Sequence, residues 1–274
     1  MGQKSSIEWT DATWNPTTGC DRVSPGCDHC YALTLAKRLK AMGNARYQHD
    51  GNPNTSGPGF GLTLHHDKIE EPLRWKTPRR IFVNSMSDLF HDDVPEQFIA
   101  DVFHVMREAR WHQFQVLTKR PRRMAYTLQN LWSGAWAHEP APNVWLGTSV
   151  EDQKRAELRI PRLLETPAAV RFLSCEPLLD RVDITPWIQD RVVQLEWVIV
   201  GGESGAGARP MDLEWVQAIR DDCTAAGIAF FFKQWGGRTP KAGGRSLDGR
   251  TWDEWPTDRS VSADREAAAE VQAS

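Results

Sequence analysis

No apolar run of 18 residues occurs anywhere in the chain, which speaks against a membrane-spanning helix. The opening stretch "MGQKSSIEWTD" lacks the apolar segment of a secretory signal. Charge of one sign is also missing. Thirty-three Lys and Arg stand against 36 Asp and Glu, and the net charge of -3 argues against a globally basic nucleic-acid binder. The dinucleotide pattern G-x-G-x-x-G is absent, because Gly201, Gly202, Gly205 and Gly207 have the wrong spacing for it. Tyr is scarce, three against thirteen Trp, and that excess reads first as core filling and second as stacking surface. Cysteine is scarce too: five, an odd number, fits a reducing cytoplasmic setting better than a disulfide framework.

What cysteine there is clusters. Cys20, Cys27 and Cys30 fall within the eleven residues "CDRVSPGCDHC", with no fourth cysteine nearby. A structural zinc site usually closes with four ligands in two pairs. Only one C-x2-C is present, so His49, His65 or His66 would have to complete a Cys3His site. An iron–sulfur cluster is the other soft-thiolate option. A four-iron cluster on three cysteines leaves one iron free to bind a small molecule. Pro25 and Gly26 permit the turn such a loop needs.

The rest of the chain predicts an α/β fold. "RIFVNSMSD", "QFQVLTKRP", "NVWLGTSVE", "VRFLSCEPL", "EWVIVGGES" and "IAFFFKQWGG" each begin with a β-branched or aromatic run, as strands buried on both faces do. A further strand lies within "SSIEWTDATWNP". Helical stripes fall between the strands: Ala32, Leu35, Ala36 and Leu39; then residues 95–109; then 212–226, capped by Asp212 and stopped by Gly227. About seven strands alternating with helices imply a full or partial (β/α) barrel of six to eight parallel strands, with an open doubly wound sheet as the rival. Residues 1–258 form one domain in this reading, with a Gly/Asn/Pro-rich insertion at about 43–61 as a lid or a disordered loop, and 259–274 as a flexible tail.

In either architecture the site lies at the carboxyl ends of the strands. Those ends carry Asn84, Ser85, Ser87, Asp88, Thr118, Lys119, Ser149, Glu151, Ser174, Cys175, Glu176, Gly201, Gly202, Glu203, Ser204, Lys233 and Gln234. The basic run "TKRPRR" (Lys119, Arg120, Arg122, Arg123) reads as a solvated helix start or a phosphate holder.

A three-cysteine loop after the first strand of such a barrel resembles the radical S-adenosylmethionine (SAM) superfamily. More closely, the chain resembles the phage Gp37/Gp68 family through "IEWTDATWNPTTGC", "VSPGCDHCYA", "IFVNSMSDLFHDDVP", "FQVLTKRP", "NVWLGTSVE", "RFLSCEPLL", "WVIVGGESG", "ARPMD", "FFFKQWGG" and "LDGRTWDE". The superfamily resemblance implies a [4Fe–4S] cluster on Cys20, Cys27 and Cys30, with SAM at the open iron and an external electron donor. Two departures stand out. The first cysteine gap is six residues instead of three, and His29 replaces the usual aromatic residue before the last cysteine. The superfamily's "GGE" follows the second strand, whereas here "GGESG" follows about the sixth. By position, Ser85, Ser87 and Asp88 become candidates for the SAM amino group. Ser149, Gly201, Gly202 and Glu203 are further cofactor contacts, and Arg209 offsets the charge of Glu203. Cys175 is a candidate hydrogen-atom donor and Glu176 a substrate contact. "VSPGCDHCYA" is also similar to the DNA-photolesion lyase branch, which implies a nucleic acid or nucleobase substrate. The opposing expectation is a non-catalytic binding protein whose cysteines staple a loop around zinc or a cluster.

Overall fold

The computed structural model describes residues 3–133, 140–189, 195–239 and 241–256. The expected tail at 259–274 lies outside the described residues.

In chain order the elements are strands β1 (Gln3–Lys4), β2 (Ala12–Trp14) and β3 (Thr17–Thr18), helix α1 (Tyr31–Ala41), β4 (Thr63–Leu64) and β5 (Arg80–Val83). Then come α2 (Glu96–Glu108), β6 (Gln113–Thr118), α3 (Pro121–Ser133), β7 (Val144–Ser149), α4 (Gln153–Leu164) and β8 (Val170–Cys175). The order closes with β9 (Trp197–Gly201), α5 (Leu213–Ala226) and β10 (Ala229–Gln234). The main sheet runs β1-β2-β5-β6-β7-β8-β9-β10. Within this sheet every neighbouring pair is parallel except β1 with β2, and β3 and β4 form a separate antiparallel pair.

That strand order decides the architecture. A doubly wound sheet reverses direction at a switch point. Here the seven parallel strands follow sequence order without reversal, and right-handed crossovers then put every helix on one side. The sheet curls into a half-barrel.

Strand periodicity separates two cores. Trp9, Phe82, Trp145, Phe172, Trp197, Ile199 and Phe231 form the inner cluster, on the concave side. The alternate positions, among them Ile81, Val83, Phe114, Leu146, Leu173, Cys175, Val198 and Phe230, pack with residues of α2, α4 and α5. Trp197 sits at the centre of the inner floor, with ring centroids 5.7 Å from Trp145, 5.7 Å from Phe172 and 4.8 Å from Trp255. Tryptophan thus fills the core, as composition suggested.

Helix ends follow local chemistry. Asp152 caps α4 by accepting from the Arg155 N–H at 2.9 Å, and Asp212 caps α5 through the Glu214 N–H at 2.9 Å. Gly227 ends α5 at φ +70°, the left-handed conformation glycine adopts without strain. In α1, Ala32 and Ala36 are buried as predicted, whereas Leu35 is exposed. Among the described residues no helix is long and apolar enough to cross a membrane.

Candidate metal centre

The cysteine loop leaves the sheet after β2 and β3 and is anchored from the start. Gly19 donates its N–H to Met86 O at 3.0 Å, and Cys20 donates to Phe60 O at 3.3 Å. At Gly19 φ is +87°, and a Cβ there would lie 2.2 Å from Gly61 O. Backbone approach this close leaves room only for glycine. Segment 43–61 packs against this loop: Tyr47 and Phe60 are buried with Ala32, Ala36 and Met86, and Cys20, Cys30 and Leu33 pack against that cluster.

Four further ties hold the loop. Arg120 Nη1 lies 3.5 Å from Cys20 Sγ, and its Nη2 donates to Asp21 O at 3.4 Å. Buried His91 pairs through Nε2 with Asp21 Oδ2 at 2.9 Å. Glu151, wholly buried, packs beneath Gly26, whose Cβ would stand 3.2 Å from the Glu151 carboxyl carbon. Lastly, Glu203 from the end of β9 takes His29 Nδ1 at 2.8 Å and the Arg209 N–H and Nε at 2.9 Å, while Arg209 Nη2 donates to Pro25 O at 2.9 Å.

Charge follows from these contacts. Burial drives the Glu203 carboxyl upward, but the hydrogen bonds from Arg209 and His29 outweigh it and hold the group at about 2. Glu151 is likewise below its ordinary value, because Arg159 and Lys119 overcome its burial. Burial, with the Asp88 carboxylate nearby, pushes the Cys20 thiol up to about 12, and Arg120 pulls against the shift. A metal at Cys20 therefore has to displace the thiol proton.

The thiols suit some groups better than others. All five cysteines are free, and Cys20, Cys27 and Cys30 are partly exposed. Among the described residues no three His, Cys, Asp or Glu side chains converge on a single ion. His65 Nε2 instead pairs with Thr18 Oγ1 at 2.9 Å, His49 Nδ1 pairs with Leu62 O at 3.1 Å, and His66 stacks edge-on against Phe98. Three soft donors on one loop, with His49, His65 and His66 engaged elsewhere, fit an iron–sulfur cluster in which each thiolate takes its own iron.

The other expected residues divide. Ser149 and Ser174 share the concave face with Trp145 and Phe172 by alternation, and Ser174 Oγ donates to Glu176 Oε2 at 3.1 Å. Glu176 also pairs with Lys233 Nζ at 2.8 Å, and Gly201 leaves the room: a Cβ there would lie 2.8 Å from Glu176 Oε1. These residues meet at the barrel mouth. Ser85 Oγ accepts from Asn15 Nδ2 at 3.1 Å, and its carbonyl accepts from the hydroxyl of Tyr31, the residue after Cys30.

Others are spent on the scaffold. Ser87 Oγ bonds Thr17 O and Oγ1 at 2.8 Å. Asp88 accepts from Phe90 N, Thr118 Oγ1, Lys119 N and Arg120, at 2.7 to 3.3 Å. Gly202 faces Trp235 O, and a Cβ would be 2.0 Å away. Glu203 is taken up by Arg209 and by His29 of the loop. Cys175 sits on the opposite face from Ser174, fully buried in the helix-side core, and burial raises its thiol far above the ordinary value. It is not brought to the mouth. Within the run "TKRPRR", Arg120 turns inward to Asp88 and Arg123 donates to the His91 and Val94 carbonyls, whereas Arg122 is exposed.

The sequence marks Lys233 as a strand-end residue, Arg120 as part of "TKRPRR" and Arg209 as the base that offsets Glu203, but gives none of them its structural partner beyond Glu203; His91 carries no signal of its contact with Asp21.

A family model described as a protein of unknown function (DUF5131) matches residues 4–256. No curated protein matches the chain. Among solved structures, two variants of spore photoproduct lyase align at 11% identity and TM-score 0.49, covering 86% and 85% of this chain and 79% and 78% of theirs. Spore photoproduct lyase complexed with dinucleoside spore photoproduct aligns at 11% identity and TM-score 0.43, covering 81% of this chain and 63% of that one.

Proposed function

The chain belongs to the DUF5131 family of proteins of unknown function, and we propose that it is a radical SAM-like iron–sulfur enzyme in which Cys20, Cys27 and Cys30 hold a [4Fe–4S] cluster. The resemblance of its motifs to the phage Gp37/Gp68 family belongs to the same proposal. One observation carries it: three free thiols on a single anchored loop at the carboxyl mouth of a partial parallel barrel. A cluster there, with one iron lacking a protein ligand, would supply an electron to bound SAM.

The chain's own groups do the rest. The aromatic floor of Trp9, Trp145, Phe172, Trp197 and Phe231 closes the lumen below and excludes water from it. Above it, the Glu176–Lys233 pair offers a fixed acceptor and donor to orient a polar substrate. Ser85 and Ser149, with the exposed ring of Tyr31 beside Cys30, are the groups we assign to SAM. Ser87, Asp88, Gly202 and Glu203 instead hold the loop and strand ends in register. We assign no hydrogen-atom transfer to Cys175.

A nucleic acid or nucleobase remains the proposed substrate class, bound at the mouth. The electron comes from an external one-electron donor. The test is anaerobic reconstitution with iron and sulfide, followed by dithionite and SAM. The expected product is 5′-deoxyadenosine. One zinc per chain, with no sulfide retained, overturns the proposal.

A further inference from the structure

Arg120 is the only cation among the hydrogen-bond partners described for the three loop thiols, and it is fixed from both ends. Its backbone N–H donates to Thr118 Oγ1 at 2.8 Å, and that hydroxyl donates to Asp88 Oδ1 at 2.7 Å. At the other end Nη1 serves both Cys20 Sγ at 3.5 Å and Asp88 Oδ2 at 3.3 Å, while Nη2 reaches Asp21 O at 3.4 Å. The Arg120 and Asp88 side chains are each only 9% exposed. Water therefore screens this charge pair weakly.

Resting on the cluster reading above, we propose that Arg120 is a positioning residue that donates an N–H to the Cys20 sulfur and raises the cluster's reduction potential, with Asp88 as the counter-charge that limits the rise. Reduction adds one negative charge to the cluster and its sulfurs. A donor and a cation beside one sulfur stabilise that reduced form more than the oxidised one. A buried carboxylate opposes them. The planar guanidinium fork reaches Cys20, Asp88 and the Asp21 carbonyl at once, which a lysine ammonium on its flexible stem does not reproduce.

The experiment is a redox titration of the reconstituted full chain without SAM, with dithionite as reductant and the EPR signal of the reduced cluster as readout. In Arg120→Gln, the ratio of reduced to oxidised cluster at the wild-type midpoint should fall about tenfold, a downward shift of about 59 mV for a one-electron couple. Asp88→Asn should move the midpoint upward. Opposite signs separate electrostatic tuning from simple loosening of the loop. An unchanged or raised midpoint in an Arg120→Gln protein with wild-type iron and sulfide overturns the inference and leaves the cluster reading standing. If neither variant assembles a cluster, pulsed EPR of the wild type labelled with guanidino-15N arginine decides. A 15N coupling that disappears in Arg120→Lys supports the contact, and its absence from the wild type overturns it. A wild-type chain without iron and sulfide defeats the cluster reading itself, on metal content alone.

Discussion

His29 Nδ1 lies 2.8 Å from Glu203 Oε2, across 174 positions of sequence. This contact ties the C-x2-C turn to the end of β9, and Arg209 completes the clasp by holding Glu203 and the Pro25 carbonyl together. "GGESG" thus braces the cysteine loop through Glu203.

Breaking that clasp should be costly. In Glu203→Gln the buried end of the pair loses its charge while Arg209 stays largely tethered, and about 2 kcal/mol of stability should go. Thermal unfolding followed by circular dichroism reads this as a drop of roughly 4–8 °C.

The same carboxylate sets a pH window. Its folded pKa of about 2 lies below the ordinary 4.5, so its contribution is full above pH 4.5 and fades as pH falls toward 2. Urea midpoints measured between pH 6 and pH 3 should fall more in the wild type than in Glu203→Gln. Parallel curves would refute the assignment.

Each of Cys20→Ala, Cys27→Ala and Cys30→Ala should abolish bound iron and sulfide after anaerobic reconstitution. Cys223→Ala should retain both, because Cys223 is buried in the helix-side core away from the loop. A normal cluster in all three single variants would remove the basis for the enzyme reading.

Gly19→Ala should displace the arm that carries Cys20. The new Cβ meets Gly61 O at φ +87°, which costs about 1–3 kcal/mol and weakens cluster retention. The check is a lowered denaturant midpoint together with faster iron loss to a chelator.

Trp197→Ala opens the centre of the aromatic floor and should cost about 3–5 kcal/mol, read as a lowered urea midpoint. Its indole N–H also donates to Glu254 O at 3.0 Å, so the end of the described chain should loosen with it.

Much of this was legible in the linear chain. Runs such as "EWVIVGG" and "IAFFFKQ" are strands because uninterrupted β-branched and aromatic residues suit a surface buried on both faces. Gly227 and Asp212 marked the ends of α5 because capping is local chemistry. The cysteine spacing likewise identified the soft-donor loop.

What the sequence by itself determined, then, was the set of elements and the donor atoms, since both depend on residues within a turn or two of each other. Only the tertiary structure decided their use. Strand order chose a half-barrel over a doubly wound sheet, and strand parity turned Cys175 into the core while leaving Ser174 at the mouth. Arg120, 100 positions from Cys20, and Arg209, 184 positions from Pro25, look like ordinary surface charges until the fold brings them to the loop. Local pattern reports burial period and backbone preference. It carries no record of which distant charge a folded chain will place beside a sulfur.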